Sequence, residues 1–211
     1  MIKVILCDDH ALIRRGIRDT LSDVPDIEVV GEAGDYGELR TLMRSAACDV
    51  LVLDINMPGR SGLDVLHVLK DEGSQVKVLV VSMYPEDQYA IRALRAGAYG
   101  YVNKGGDPQL LVQAVRTVAQ GRKYVTPDIA QMLVESLTAP VTENAHEKLS
   151  DRELQTLVMI ASGKRLSDIA EELMLSPKTV SVYRARVLEK LGLANNSELT
   201  VYAIRNGLVG S

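Results

Sequence analysis

The sequence contains little cysteine and no long apolar segment. Its 211 residues include two cysteines, Cys7 and Cys48, each in or beside an apolar run. Cysteines in such runs behave as small buried hydrophobes, so neither a disulfide framework nor a cysteine metal site is expected. No apolar run approaches the roughly 20 residues that a membrane helix needs, and no basic segment leads into an apolar stretch at the N-terminus. These absences argue against a membrane partner and predict a cytoplasmic protein.

Charge is distributed unevenly along the chain. Hydrophobic residues make up 46% and charged residues 25%, a normal composition for one large or two small folded domains. The formal net charge is −4, yet residues 1–146 carry 15 Lys and Arg against 20 Asp and Glu, whereas residues 147–211 carry nine against eight. The acidic first part and the near-neutral second part are therefore expected to have different partners.

Short apolar runs alternate with helix-period segments in the first part. The runs are rich in Val, Ile and Leu without strict alternation, which is typical of strands buried on both faces; they span residues 2–7, 27–32, 49–54, 76–81 and 99–102. The helical segments span residues 12–21, 36–43, 62–69, 87–94 and 108–119. This alternation predicts an α/β fold with a doubly wound, five-stranded parallel sheet. Its ligands should bind at the carboxyl ends of the strands.

Three carboxylates fall at the ends of two predicted strands. Asp8 and Asp9 follow the first strand, and Asp54 ends the third. Neighbouring strands lie about 4.8 Å apart, so the sheet can bring the three side chains together. Like charges this close repel unless a cation neutralises them, and carboxylates with water and a phosphate are typical ligands of Mg²⁺. An isolated acidic pair would instead be interpreted as a solvated strand end, and the neighbouring His10 is expected to be solvated.

Four short motifs follow one another along the first part of the chain. They are DD at residues 8 and 9, D-x-x-M-P-G at 54–59, Ser82 after the fourth strand, and Y-x-x-K at 101–104. With this set the chain resembles a two-component response regulator of the NarL/FixJ type over nearly its whole length. The resemblance implies a CheY-like receiver with flavodoxin-like strand order. It also implies a partner histidine kinase that phosphorylates Asp54.

The resemblance assigns further roles at this site. Asp8 and Asp9 would hold Mg²⁺ together with Asp54 and the backbone carbonyl of Asn56. Lys104 and Ser82 would each contact a phosphoryl oxygen, and Ser82 with Tyr101 would form a switch in which the ring of Tyr101 enters space that Ser82 vacates.

Two departures from the receiver pattern surround these positions. Gly105 and Gly106 follow Lys104, where many receivers have proline, so this loop is expected to be more mobile. Met83 is larger than the Ala or Gly often found after the hydroxyl residue, and it is expected to narrow access to the site.

The pattern changes after residue 121. Residues 122–148 are turn-rich and polar and are predicted to form a linker with one helix at 128–137, between a receiver at 1–121 and a smaller all-α domain at 149–211. Ser150 and Glu153 have the spacing of a capping box, which predicts a helix up to about residue 162. Ser167 is predicted to cap a second helix at 168–174. Ser176 and Pro177 open a third, and a fourth spans residues 197–206.

The short turn at 175–177 predicts a helix-turn-helix, with a four-helix interaction domain as the alternative. On the third helix, the apolar face is formed by Val180, Tyr183, Val187, Leu188 and Leu191. The opposite side suits a DNA major groove, because cationic side chains at its edges can reach phosphates or guanine and small side chains at its centre can approach a thymine methyl group. This side comprises Lys178, Thr179, Ser181, Val182, Ala185 and Arg186. Residues 177–191 carry four Lys and Arg against one Glu, a local charge of +3.

The segment LSDRELQTLVMIASGK, followed by IAEELMLSPKTVSVYRARVLEKLGL, resembles the LuxR-type DNA-binding domain. The resemblance implies binding to double-stranded DNA as a homodimer when phosphorylated or DNA-bound. Leu199, Tyr202 and Ala203 on the last helix are the predicted dimer contact. Where many relatives have S-N-K, this chain has Arg165-Leu166-Ser167, so Arg165 is predicted to replace the missing lysine.

Two other functions remain open at this point. One is a phosphotransferase or phosphatase with an aspartyl nucleophile, such as the haloacid-dehalogenase group, although that group places the nucleophile in D-x-D spacing at the end of the first strand. The other is a LuxR-type regulator that responds to a small molecule. A response regulator would accept its own phosphoryl group and lose it by autodephosphorylation, and it would not turn over an external substrate.

Overall fold

The computed structural model describes residues 1–57, 59–84, 86–138 and 145–209. The chain divides into two compact units, Met1–Thr138 and Ala139–Ser211, which are described separately. Part of the predicted linker (139–144) and the proline of the D-x-x-M-P-G motif, Pro58, lie outside the described residues. Among the helices that the structure describes, none is long and apolar enough to cross a membrane.

The first unit contains a five-stranded parallel sheet. Its strands are β1 (Ile2–Cys7), β2 (Ile27–Ala33), β3 (Val50–Asp54), β4 (Lys77–Ser82) and β5 (Gly100–Asn103). Their order is β2-β1-β3-β4-β5, so the predicted flavodoxin-like order is confirmed. Every residue of β3 is buried, which explains the continuous apolar run in the sequence. The order places the ends of β1, β3 and β4 side by side at one edge.

Six helices accompany the sheet: α1 (Ala11–Ser22), α2 (Tyr36–Ser45), α3 (Gly62–Asp71), α4 (Glu86–Ala96), α5 (Pro108–Ala119) and α6 (Pro127–Thr138). Side chains of Asp35, Ser61 and Asp107 cap α2, α3 and α5 by accepting backbone N–H groups. Helix α6, predicted as part of a linker, packs on α4 within this unit. Ile129 of α6 is fully buried, and the Thr126 hydroxyl donates to Glu86 at 2.8 Å.

Helix α3 begins in contact with the backbone of Asp54. The Gly62 N–H donates to the Ile55 carbonyl at 2.9 Å, and a Cβ added at Gly62 would lie 2.1 Å from the Asp54 carbonyl oxygen. We expect Gly62→Ala to lower the free energy of unfolding by about 3 kcal/mol, because backbone must move to admit the methyl group. Urea denaturation measures the change.

Gly16→Ala is the matched control for this prediction. Gly16 lies inside α1, and outside the backbone of that helix and the chain neighbours of Gly16, an added Cβ would meet no atom of the described residues within 4 Å. Because alanine has a higher helix propensity than glycine, the free energy of unfolding of this variant should rise by about 1 kcal/mol. Equal unfolding free energies for the Gly62→Ala variant and the parent would contradict the close approach of α3 to Asp54.

The second unit is helical. A short 3₁₀ helix at Ala145–Lys148, which the sequence did not predict, precedes α7 (Asp151–Ala161), α8 (Leu166–Glu172), α9 (Pro177–Leu191) and α10 (Asn196–Arg205). The predicted capping box of Ser150 with Glu153 is confirmed, as is the cap by Ser176. The predicted cap by Ser167 is wrong. Helix α8 begins earlier because Leu166 packs against the core of this unit, and the Ser167 hydroxyl donates to Asp168 instead.

Candidate functional site

An ion-pair cluster lies at the carboxyl edge of the sheet. Asp8 follows β1, Asp54 ends β3 and Lys104 follows β5. The Lys104 Nζ lies 2.7 Å from Asp8 Oδ2 and 2.7 Å from Asp54 Oδ2, and its side chain is only 4% exposed. The Lys104 N–H donates to the Ser82 carbonyl at 2.8 Å. The sheet therefore brings together residues that are up to 96 positions apart in sequence.

The cluster has an excess of negative charge. Four buried carboxylate oxygens lack a hydrogen bond of good geometry within the described residues, although Lys104 and His10 lie at ion-pair distance; they are Asp8 Oδ2, Asp9 Oδ1 and both oxygens of Asp54. Burial raises the pKa of Asp54 to about 6, the Lys104 ammonium opposes this rise, and the Asp8 carboxylate adds to it. One buried lysine does not balance three carboxylates.

The donor set at this edge fits a divalent cation. Ligand atoms of Asp8, Asp9, His10 and Asp54 all lie within 4.8 Å of one another. Carboxylate oxygens with unsatisfied charge suit Mg²⁺, a hard cation. Asn56 is half-buried in the loop after β3, two residues beyond Asp54. The acidic cluster is therefore compatible with Mg²⁺ binding.

His10 is partly solvated, as predicted. Its side chain is 53% exposed, yet its Nδ1 lies 2.7 Å from Asp9 Oδ1. The side chain makes no capping hydrogen bond to α1, although the residue occupies the N-cap position. Met83, which was expected to narrow access to the site, is 63% exposed.

The two predicted switch residues meet at the loop that follows β4. The Tyr84 N–H donates to Ser82 Oγ at 3.1 Å, and the Tyr101 hydroxyl donates to the Tyr84 carbonyl at 2.8 Å. Tyr101 is fully buried, and this burial raises the pKa of its hydroxyl. The inward position of the ring, which was expected to follow phosphorylation, is thus already present in this structure. The Asn103 amide also donates to the Tyr84 carbonyl, at 3.2 Å, a contact that no sequence motif indicated.

In the second unit, the predicted orientation of α9 is confirmed. Val180 and Val187 are buried, and the other predicted inner residues are half-buried: Tyr183, Leu188 and Leu191. The predicted outer residues are exposed except Thr179, whose hydroxyl lies 2.8 Å from Ser176 Oγ at the helix cap; the exposed residues are Lys178, Ser181, Val182, Ala185 and Arg186.

Two of the four cations of α9 bind within the unit. The Arg184 Nε donates to Asn196 Oδ1 at 2.6 Å, and the Lys190 Nζ lies 2.6 Å from Glu153 Oε2. Lys178 and Arg186 form no ion pair with any residue that the structure describes. The local charge of +3 counted from sequence therefore overstates the charge that this helix offers to a ligand.

The predicted dimer contact on α10 is wrong for two of its three residues. Leu199 and Ala203 are fully buried, because this face of α10 packs against α7. Tyr202 is half-buried, and its hydroxyl accepts the His146 N–H at 3.2 Å. The exposed apolar residues of α10 are Val201 and Ile204, at 47% and 44% exposure. Arg165, the predicted replacement for a phosphate-contacting lysine, is exposed before α8.

Comparisons with known proteins agree with this arrangement. The model for the response regulator receiver domain matches residues 4–116, and the model for bacterial regulatory proteins of the luxR family matches residues 147–203. The chain is 42% identical to response regulator UvrY of Escherichia coli (strain K12), over 99% of this chain and 96% of that protein. It is 40% identical to response regulator GacA of Pseudomonas aeruginosa, over 99% and 98%.

Among solved structures, the chain is similar to RcsB from Salmonella enterica serovar Typhimurium, bound to promoter rprA in the presence of the phosphomimetic BeF₃⁻. The TM-score is 0.64 at 27% identity, over 95% of this chain and 97% of that one.

Proposed function

Because this chain belongs to the response regulators that join a receiver domain to a LuxR-type DNA-binding domain, it is a response regulator transcription factor, and we propose that a partner histidine kinase phosphorylates it on Asp54. The observation that carries this proposal is the position of the Lys104 Nζ, 2.7 Å from carboxylate oxygens of both Asp54 and Asp8. The receiver match over residues 4–116 argues against both alternatives, the haloacid-dehalogenase-type phosphatase and the ligand-responsive regulator.

The proposed reaction is a phosphoryl transfer to a carboxylate. An Asp54 oxygen attacks the phosphorus of the kinase phosphohistidine, an O–P bond forms, and the N–P bond breaks with its electron pair on the imidazole, which takes a proton from water. Lys104 neutralises charge on one phosphoryl oxygen, and the Ser82 hydroxyl donates to another. Water later hydrolyses the aspartyl phosphate to inorganic phosphate and restores the Asp54 carboxylate. The aspartyl phosphate would serve as the signal that controls DNA binding, and the chain would not act as a turnover enzyme on an external substrate.

The metal proposed for this reaction is Mg²⁺. Asp8, Asp9, Asp54 and the Asn56 carbonyl would hold it. Mg²⁺ would supply positive charge to the phosphoryl oxygens and relieve the excess of negative charge among the carboxylates.

The proposed output is DNA binding by a cytoplasmic homodimer. We assign residues 1–121 to the receiver, 122–148 to the linker and 149–211 to the DNA-binding domain. Helix α6 of the linker packs on α4 of the receiver unit. The outer side of α9 would enter the major groove of double-stranded DNA, and phosphorylation or DNA binding would favour the dimer. Since Leu199 and Ala203 are buried, Val201 and Ile204 become the proposed dimer contacts on α10.

Beryllofluoride with Mg²⁺ tests the proposal. The parent chain should bind the phosphate mimic stoichiometrically at Asp54 and bind its operator more tightly afterwards. Absence of stoichiometric binding by the intact chain would reject the receiver mechanism.

We expect Tyr101→Ala to accept phosphate but to lose most of the phosphorylation-dependent gain in DNA affinity. We propose that the phosphoryl group draws the Ser82 hydroxyl inward and stabilises the buried position of Tyr101, which reshapes the surface of α4 and β5. Fluorescence anisotropy with labelled DNA, with and without beryllofluoride, measures this gain.

Tyr101→Phe is the graded control for this prediction, because it keeps the buried ring and removes the hydroxyl that donates to the Tyr84 carbonyl. It should retain more of the gain than Tyr101→Ala. A full gain in the alanine variant would mean that the signal leaves the receiver by another route.

A further inference from the structure

The side chain of Asn103 joins two loops at the carboxyl edge of the sheet. Its Nδ2 donates to the Tyr84 carbonyl at 3.2 Å, in the loop between β4 and α4. Its Oδ1 accepts the Gly105 N–H at 2.8 Å, in the loop between β5 and α5. A side-chain amide can donate to a carbonyl and accept from an N–H at the same time. Asn103 therefore connects the segment that follows Ser82 to the segment that follows Lys104.

The loop between β5 and α5, residues 104–107, is called the Lys104 loop, and its sequence gives it little rigidity of its own. Gly105 and Gly106 follow the lysine, and glycine restricts the backbone less than any other residue. Two hydrogen bonds from these glycines end on Asn103: Gly105 N–H to the side-chain oxygen, and Gly106 N–H to the main-chain carbonyl at 3.1 Å. Only the first depends on the identity of residue 103. The side chain of Asn103 thus supplies order that the glycines do not.

The same side chain lies beside the groups that contact the carboxylates. Asn103 pairs with Ser82 across β4 and β5, and it directly precedes Lys104. The Tyr84 carbonyl that it binds also accepts the Tyr101 hydroxyl. A small displacement of this loop would move the Lys104 ammonium away from its 2.7 Å contacts with Asp8 and Asp54.

We propose that Asn103 is a positioning residue for phosphoryl transfer, which holds Lys104 and the loop after Ser82 in the reactive arrangement. This inference rests on the proposed phosphorylation of Asp54. Asn103 acts through Lys104 and Tyr84 and need not touch the phosphoryl group.

The first test compares Asn103→Ala with the parent chain. The rate constant of phosphorylation at saturating small-molecule phosphodonor and Mg²⁺ should fall about tenfold, because misplacement of a reacting group by less than 1 Å is costly. The Mg²⁺ affinity, measured by isothermal titration calorimetry, should stay unchanged because Asn103 contributes none of the proposed metal ligands. A parallel loss of Mg²⁺ affinity would overturn the positioning role, since the whole site would then have collapsed.

Asp107→Ala is the matched control. Asp107 lies in the same loop and caps α5 by accepting the Gln109 N–H at 2.8 Å, so its loss also removes a side chain to backbone hydrogen bond. It should lower stability but leave the phosphorylation rate constant near that of the parent. A tenfold slower Asp107→Ala variant would mean that general loosening of the loop, and not Asn103, sets the rate.

The second test is rescue of Asn103→Ala by Gly105→Ala. Gly105 does not adopt a positive φ, so alanine fits its backbone and narrows the freedom of the loop. Among the described residues other than its chain neighbours, the one atom within 4 Å of a Cβ added at Gly105 is Asn103 Oδ1, at 3.2 Å, which Asn103→Ala removes. Gly105→Ala should therefore recover part of the lost rate in the double variant, yet slow phosphorylation slightly by itself.

The outcomes separate this inference from the proposed function. If the parent chain accepts a phosphoryl group neither from the small-molecule phosphodonor nor from a phosphorylated histidine kinase, the proposed function fails. If the parent is phosphorylated and Asn103→Ala matches its rate, Asn103 has no positioning role. Failure of Gly105→Ala to recover any rate in the double variant would likewise overturn the claim that Asn103 acts by ordering the Lys104 loop.

Discussion

Replacing Asp54 with asparagine is expected to abolish phosphorylation while leaving the fold intact. The amide has nearly the same shape as the carboxyl group but is not a nucleophile at phosphorus. The substitution also removes one of the crowded buried carboxylates, so stability should not fall; Asp54 is 1% exposed, and burial raises its pKa to about 6. Intact-protein mass spectrometry after incubation with a phosphorylated kinase measures the label, and thermal unfolding checks the fold.

Asp64→Asn is the matched control for Asp54→Asn. Asp64 belongs to the capping box of α3, ten residues further along the chain, and lies outside the acidic cluster. Its asparagine variant should be phosphorylated like the parent. Stoichiometric labelling of the Asp54→Asn chain at any other carboxylate would show that Asp54 is not the acceptor.

Lys178→Ala and Arg186→Ala are each expected to weaken DNA binding and to make it less sensitive to salt. Each cation that neutralises a phosphate releases counterions, so its loss should reduce the slope of log K against log[salt] by about 1. Val182 is exposed between these cations and carries no charge, so Val182→Ala should mainly change sequence preference. Binding isotherms at several salt concentrations, on cognate and substituted operators, separate the two effects.

A charge-matched control for the DNA variants is Arg205→Ala. Arg205 is exposed in the last turn of α10 and is not part of α9. Its replacement by alanine changes the net charge by the same amount as Lys178→Ala or Arg186→Ala. It should leave the salt slope unchanged. Unchanged slopes for both Lys178→Ala and Arg186→Ala would place the DNA interface on another surface.

Much of this molecule follows from local sequence pattern. The pattern of apolar residues predicted every strand and helix of the sheet domain to within a few residues, because hydrogen bonding and burial in these elements depend on near neighbours. The parallel sheet then follows from the alternation of elements, and it places Asp8 and Asp54 at one edge. The division of α9 into a buried and an exposed side follows from helical period in the same way.

Only the tertiary structure decided which distant residues each of these side chains contacts. Leu199 and Ala203 were predicted to form a dimer contact on α10, but packing on α7 buries them. Helical period shows which residues share a face of a helix, and it does not show which other segment covers that face. The charge count from sequence treated Arg184 and Lys190 as cations available to DNA, but in the structure they bind Asn196 and Glu153. The contact of Asn103 with Tyr84 likewise depends on the pairing of β4 with β5. Local pattern fixes elements and their faces, whereas the partners of each side chain depend on packing between segments that are distant in sequence.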